Sequence, residues 1–305
     1  MKKTLALFLS VLMLTALLAG CTAPAAPAAT AATAATEAPS EATEAPAEAA
    51  APAPLEAAEV QLFIAASLEN AFLEIIPLYN AAQPNVVVTY NADSSGKLLQ
   101  QVQEGFACDI FFSASPSQVK TLAEEGYMIE GTRVDLLQNK LALIAAKGSG
   151  TAVTGFADLA NAKSIALADG SVPAGKYARQ LLINLGVLTV ADKAAADYTT
   201  QEVSEALGNV EINECSNVSK VKEAVKEGSN EVGCVYYSDA YSVRDDVDIL
   251  ELADPALTGD ILYPVCRVTN PEATDAENAA ADDFLAFLQT DEVKAIFEKY
   301  MFLLN

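Results

Sequence analysis

The sequence predicts an α/β protein of two lobes, each a mainly parallel sheet flanked by helices, with a ligand cleft between them. Three observations lead there. From Val60 onward, apolar strand-like runs alternate with amphipathic helical stretches, the pattern of a parallel sheet covered by helices. The alternation runs to about Glu125 and restarts at Ser164, so two α/β units follow one another. The chain then closes on a further strand and two helices that must pack back onto an earlier unit. With 305 residues, 52% of them hydrophobic, there is ample material for one or two cores.

The first segment is not part of either lobe. Lys2 and Lys3 precede an apolar run from Leu5 to Leu18, and Leu18-Ala19-Gly20-Cys21 follows. A charged start, a short apolar stretch and small residues make a secretory signal; a membrane span would need about 20 apolar residues. Leu-Ala-Gly-Cys resembles a bacterial lipoprotein signal, which implies removal of residues 1–20 and a lipid on Cys21. Residues 21–58 are almost wholly Ala, Pro, Thr, Ser and Glu, with no aromatic residue and no cation. Repeated prolines and self-repelling glutamates predict an extended, disordered tether. Lipid and tether together place the body outside the cytoplasm, anchored to the outer face of the cell membrane.

Within the body, residues 60–66 form a predicted strand and 68–80 a helix with Leu68, Phe72, Ile75, Ile76 and Tyr79 on one side. Strand, helix, strand and helix follow at 86–90, 97–104, 109–113 and 117–125. A strand at 141–146 precedes the second unit, with strands at 164–168, 211–213 and 232–237 and helices at 174–185 and 219–227. A strand at 261–268 and helices at 276–289 and 291–299 end the chain. The expected division is 59–148 for the first part of lobe 1, 149–241 for lobe 2 and 242–305 for the return to lobe 1.

Composition narrows the chemistry. There are 41 Asp and Glu against 18 Lys and Arg, no His and no Trp, for a formal charge of −23. Such a body repels phosphate backbones, so no nucleic-acid partner is expected. Without His, the usual general base, nucleophile activator and zinc ligand are missing. A glycoside hydrolase working through paired carboxylates is the remaining enzymatic alternative. Against it, Asp245-Asp246 and Glu124-Glu125 read as solvated faces, and no Trp is present to stack on sugar. No catalytic residue and no cofactor are expected. Cys108, Cys215, Cys234 and Cys266 lack metal-ligand spacing and read as buried core thiols, with a Cys215–Cys234 disulfide as the alternative.

The informative positions stand between each strand and the next helix. Ser67 opens the first helix, and Asp93-Ser94-Ser95-Gly96-Lys97 opens the second. In the other unit, Asp169-Gly170-Ser171-Val172-Pro173-Ala174-Gly175 and Ser216-Asn217-Val218-Ser219 do the same. At the carboxyl edge of a parallel sheet, helix N-termini present free N–H groups and positive dipole ends, which suit an anion. Each segment also serves as an ordinary helix start, through a serine N-cap or Pro173 in the first turn.

A family resemblance decides between these readings. Phe63-Ile64-Ala65-Ala66-Ser67-Leu68, Ser94-Ser95-Gly96, Ala107-Cys108-Asp109-Ile110-Phe111-Phe112-Ser113-Ala114, Asn139-Lys140-Leu141-Ala142-Leu143, Val172-Pro173-Ala174-Gly175, Gly233-Cys234-Val235-Tyr236-Tyr237-Ser238-Asp239-Ala240 and Tyr263-Pro264-Val265 occur in order. Together they resemble the molybdate-binding proteins of ABC importers. The resemblance implies a type II periplasmic-binding-protein fold that closes on molybdate or tungstate and delivers it to a membrane permease. Sulfate, thiosulfate or phosphate is the alternative ligand, and a monomer is expected. It further implies ligand contacts from Ser67, Ser95, Ala174, Val218 and Tyr236, with molybdenum present only as the bound oxyanion. Ala174 and Val218 would act through backbone N–H; Tyr236, in an apolar strand, reads from pattern alone as core. Two positions depart from the family's pattern. Asp93 is expected to cap the helix or face away from an anion, and Lys97 to be a solvated helix residue.

Overall fold

The computed structural model describes residues 54–189 and 193–305. The signal segment 1–20, Cys21 and most of the tether lie outside the described residues. The body begins slightly earlier than expected. The Leu55 amide donates to Gln83 Oε1 at 3.0 Å and Asn85 Nδ2 donates to the Leu55 carbonyl at 2.9 Å, which ties residues just before the first strand to the fold.

The first unit runs β1 (Ala58–Ala65), α1 (Glu69–Ala82), β2 (Val86–Asp93), α2 (Ser95–Gln103), β3 (Ile110–Phe112), α3 (Pro116–Glu124) and β4 (Val134–Asn139). The chain continues through β5 (Leu141–Ala146), β6 (Ser164–Ala168), α4 (Pro173–Asn184), α5 (Thr200–Ala206), β7 (Glu211–Cys215), α6 (Val218–Lys226), β8 (Val232–Tyr236), α7 (Tyr237–Ser242) and β9 (Val247–Leu252). It ends with α8 (Pro255–Thr258), β10 (Ile261–Arg267), α9 (Asp275–Phe287), α10 (Asp291–Lys299) and β11 (Leu303–Leu304).

These strands form two sheets, ordered β11-β4-β10-β3-β1-β2 and β7-β6-β8-β5-β9. β1 pairs parallel with β2 and β3, and β6 pairs parallel with β7 and β8. The strands that join the sheets run antiparallel: β10 against β3 and β4, and β5 against β8 and β9. This corrects the division at 148/149 and 241/242. β5 and β9 both belong to the second sheet, so the chain crosses between Asn139 and Leu141 and returns between Leu252 and Ile261. The physical reason is pairing. β5 has partners on both sides within the second sheet, and β4 supplies the first sheet with the strand next to β10.

Each lobe has its own means of fixing its helices. In the first, rings interlock: Phe72 meets Phe112 edge-to-face at 6.1 Å and Tyr79 meets Phe284 at 4.7 Å. Such buried rings each contribute roughly 1.5–3 kcal/mol through area alone, with edge-to-face geometry adding to it. In the second, close backbone approach matters more. A Cβ on Gly233 of β8 would lie 2.7 Å from Val225 and 2.9 Å from Val221, so α6 sits nearly on the strand. A Cβ on Gly175 would lie 2.1 Å from the Asp169 carbonyl oxygen, which fixes the first turn of α4 over the end of β6.

One fully buried arginine holds each lobe. Arg179 donates from Nε to the Tyr198 carbonyl (2.7 Å) and from Nη1 to those of Ala168 (2.8 Å) and Gly175 (3.0 Å). Arg267 donates to the Asp109 carbonyl (3.1 Å), to Asn278 and to the Asp282 carboxylate. A buried cation of this kind is tolerated because its donors are satisfied. All four described cysteines are free and buried. Cys215 ends β7 and Cys234 lies in β8, with β6 between them, so the alternative disulfide does not form. Burial pushes the Cys234 and Cys266 thiols up to about 12, which leaves them unreactive.

Candidate functional site

A small cavity lies between the two sheets, lined from the first by Ala65, Ala66, Ser67, Asp93, Ser94, Ser95 and Ala114 and from the second by Val172, Pro173, Ala174, Val218 and Tyr236. All five residues singled out in the sequence are therefore brought together. The space free of atoms is about 210 Å³ including the open mouth. The cavity proper holds only about 10 Å³, close to the room of a single water, which suits a compact inorganic ion rather than a sugar or cofactor.

Ser67 sits in the 3-10 turn Ala66–Leu68 between β1 and α1, so it precedes the α-helix rather than opening it. Its Oγ lies 2.9 Å from the Tyr263 hydroxyl. Ser95 is the first residue of α2, with Ser94 as its N-cap: Ser94 Oγ accepts from the Lys97 amide. The Ala114 amide donates to Ser95 Oγ at 3.0 Å, which occupies an oxygen lone pair and leaves the hydroxyl proton for another acceptor. Both serines are at least 95% buried.

The second lobe contributes differently. Pro173 and Ala174 begin α4 after Val172, and Val218 begins α6 after Asn217, whose side chain accepts from the Lys220 amide at 3.0 Å. Helix geometry leaves the first amides of both helices without intrahelical partners, and the dipoles place positive charge at the same ends. Tyr236 ends β8. It is 1% exposed, and its hydroxyl has no hydrogen-bond partner among the described residues. Burial, with Tyr263, Tyr177 and Asp239 nearby, pushes this phenol well above its ordinary value, so it stays protonated and able to donate.

Asp93 is the one carboxylate on the wall. Its Oδ1 accepts from the Ser94 amide at 2.7 Å and from Asn217 Nδ2 at 3.0 Å, and its Oδ2 lies 3.6 Å from Lys97 Nζ. Of the two expectations for Asp93, capping is corrected, since Ser94 holds that position; its carboxylate is engaged instead with Asn217 of the other lobe and with Lys97. Lys97 is half exposed at 47% and spends its charge on Asp93, an exposed pair worth at most about 1 kcal/mol. The lobes approach closely at a second place: a Cβ on Gly96 would lie 3.0 Å from the Ser171 carbonyl oxygen.

Two side chains behind the wall escaped sequence reasoning as functional residues. Asn139 Nδ2 reaches Ser238 Oγ (2.9 Å) and the Tyr263 hydroxyl (3.4 Å), and Tyr263 in turn meets Ser67. Both were visible only as members of family-like segments, because the contacts join residues 99, 124 and 196 positions apart.

Fold and cavity together define a two-lobed receptor for a small solute. The chain belongs to the family of bacterial extracellular solute-binding proteins, which it matches over residues 60–303. Among its relatives, a Bacillus subtilis protein named "Putative ABC transporter substrate-binding lipoprotein YvgL" is 30% identical over 240 residues, covering 78% of this chain and 84% of that protein. The molybdate-binding protein ModA of Haemophilus influenzae is 31% identical over 256 residues, covering 80% and 90%. Among solved structures, the periplasmic molybdate-binding protein of Azotobacter vinelandii superposes with a TM-score of 0.66 at 18% identity, covering 81% of this chain and 99% of that one. The sulfate-binding protein SubI of Mycobacterium tuberculosis gives 0.62 at 17% identity, covering 80% and 86%. At that identity the last two establish the fold alone.

Proposed function

We propose that this protein captures molybdate, and tungstate with it, between its lobes and delivers the ion to the permease of an ABC importer. On this reading Ser67, Ser95 and Tyr236 donate O–H groups to the ion, and Ala174 and Val218 donate backbone N–H groups. The observation that carries it is the donor character of the cavity: two serine hydroxyls, a tyrosine hydroxyl unpaired among the described residues and two helix N-termini face one space, and the carboxylate on its wall is already bonded elsewhere. A fully ionised oxyanion accepts hydrogen bonds and donates none, so such a wall satisfies it. A protonated phosphate would keep an unpaired donor in a buried site, at a cost of about 1–3 kcal/mol. The names borne by relatives of similar length support molybdate over other ions.

Ligand contact with both lobes stabilises the closed form, which a permease can then distinguish from the empty one. No catalytic role is assigned. The lipid on Cys21 would hold the protein at the outer face of the cell membrane.

Calorimetric titration with molybdate, tungstate, sulfate, thiosulfate and phosphate tests the reading. Molybdate and tungstate are expected to bind most tightly; a preference for sulfate would remove the molybdate assignment and keep the oxyanion one. If no anion raises the melting temperature, the binding function itself is wrong, since a ligand at 100 times its Kd stabilises by about 2.7 kcal/mol.

A further inference from the structure

We infer that Asn139 and Tyr263, neither of which lines the cavity, are positioning residues that set the direction of the Ser67 hydroxyl and thereby part of the site's selectivity. The inference rests on the oxyanion reading above.

The chain of bonds has one consistent polarity. The Lys140 amide donates to Asn139 Oδ1 at 2.8 Å, which fixes which end of the side-chain amide points where. Its Nδ2 therefore faces Ser238 Oγ at 2.9 Å and the Tyr263 hydroxyl at 3.4 Å, and an amide nitrogen can only donate. With Asn139 donating to its oxygen, Tyr263 has its single proton to place between Ser67 Oγ at 2.9 Å and the neighbouring Tyr236, and the short contact to Ser67 is the one we assign it. Ser67 then accepts from behind, and its own proton is directed into the cavity. Asn139, Tyr263 and Ser67 are all at least 95% buried, so water does not compete for these bonds. Burial also pushes the Tyr263 phenol well above its ordinary value, so it keeps the proton the chain requires.

Ser95 supplies an independent parallel. It too accepts from behind, from the Ala114 amide, which is a donor that cannot reverse. Tyr263 can reverse, because a hydroxyl both donates and accepts. Asn139, by occupying one lone pair of the Tyr263 oxygen, biases it against reversal.

The test is a double-mutant cycle on the full chain, read by calorimetric titration with molybdate and with inorganic phosphate, the latter as a protonated competitor. Tyr263→Phe is expected to weaken molybdate about tenfold, the equivalent of one hydrogen bond. In a Ser67→Ala background the same change should alter affinity less than twofold, because there is no hydroxyl left to direct. Asn139→Asp replaces the donor by an acceptor, so Ser67 should turn a lone pair to the cavity and the preference for molybdate over phosphate should narrow by about tenfold. The new carboxylate also repels anions, but that effect persists without Ser67 and the cycle subtracts it. Equal losses with and without Ser67, or unchanged affinity in Tyr263→Phe, would overturn the relay while leaving the oxyanion site standing. A parent protein that binds neither ion overturns both. Melting curves check that each variant folds, and Tyr263→Phe alone suffices should Asn139→Asp fail to.

Discussion

The two lobes line the same cavity by different means. The first presents side-chain oxygens, Ser67 and Ser95, each held from behind by a hydrogen bond. The second presents the starts of α4 and α6, where alanine and valine stand on the wall, together with one tyrosine hydroxyl. In the first lobe the chemistry therefore belongs to particular side chains. In the second it belongs to backbone placement, and the residues that matter are those that hold the backbone still, such as Gly175 and Arg179.

That contrast can be broken most forcefully at Gly175. A methyl group there meets the Asp169 and Ala168 carbonyl oxygens at 2.1 and 2.3 Å, so Gly175→Ala must displace α4. We expect about 3 kcal/mol of lost stability in a denaturant titration and a much weakened anion response. An unchanged midpoint would show that α4 is not fixed by this approach.

Next in size is a pH effect peculiar to the second lobe. Burial raises Asp239 to about 6, against the pull of Lys222 and the Tyr236 backbone, and its Oδ2 has no partner among the described residues. A carboxyl raised in the folded state binds a proton there that the unfolded chain has released, so stability falls as pH climbs from about 4 to about 6. Asp239→Asn should lack this fall. Its melting temperature relative to the parent is expected to rise between pH 4 and pH 7, by the equivalent of about 2–3 kcal/mol.

Ser95→Ala or Ser67→Ala should weaken molybdate by about ten- to a hundredfold with little change in melting temperature. Val218→Ala, which keeps its amide, should change affinity less than threefold. If the serine and valine variants behave alike in titration, the division of labour between the lobes is not real.

The smallest effects are expected where the lobes touch. Gly96→Ala presses a methyl on the Ser171 carbonyl oxygen at 3.0 Å, and Asn217→Ala removes the bond to Asp93 while also uncapping α6. Each should weaken binding a few-fold by penalising closure, about 1 kcal/mol or less. Small-angle scattering with saturating molybdate would reveal it as a less compact bound state.

The parallel strands and their helices were legible in the sequence because burial on both faces makes near-continuous apolar runs such as Ile165-Ala166-Leu167-Ala168 in β6. β4 and β9 were not. Val134-Asp-Leu-Leu-Gln-Asn and Val247-Asp-Ile-Leu-Glu-Leu are only partly buried, and each carries an acidic residue in its second position. Missing them displaced both crossings between lobes. The cavity wall was half legible: helix starts announce themselves through Ser, Pro and Gly, whereas Tyr236 looks like any buried aromatic until its hydroxyl is found without a hydrogen-bond partner among the described residues. Asn139 and Tyr263 gave no local signal, since their importance lies in a chain of contacts between distant segments.

The position of β10 has a consequence for synthesis. It lies in the middle of the first sheet, between β3 and β4, yet it is among the last strands made. The second lobe, from β5 to β9, is contiguous, and the Ala253 amide returns to the Leu141 carbonyl at 2.8 Å, so its two ends meet. As the chain emerges it can form while the first sheet still lacks its central strand and must wait for the end of the chain. A product truncated before Ile261 would keep one finished lobe and leave the other split open, an apolar surface for chaperones and proteases to act upon.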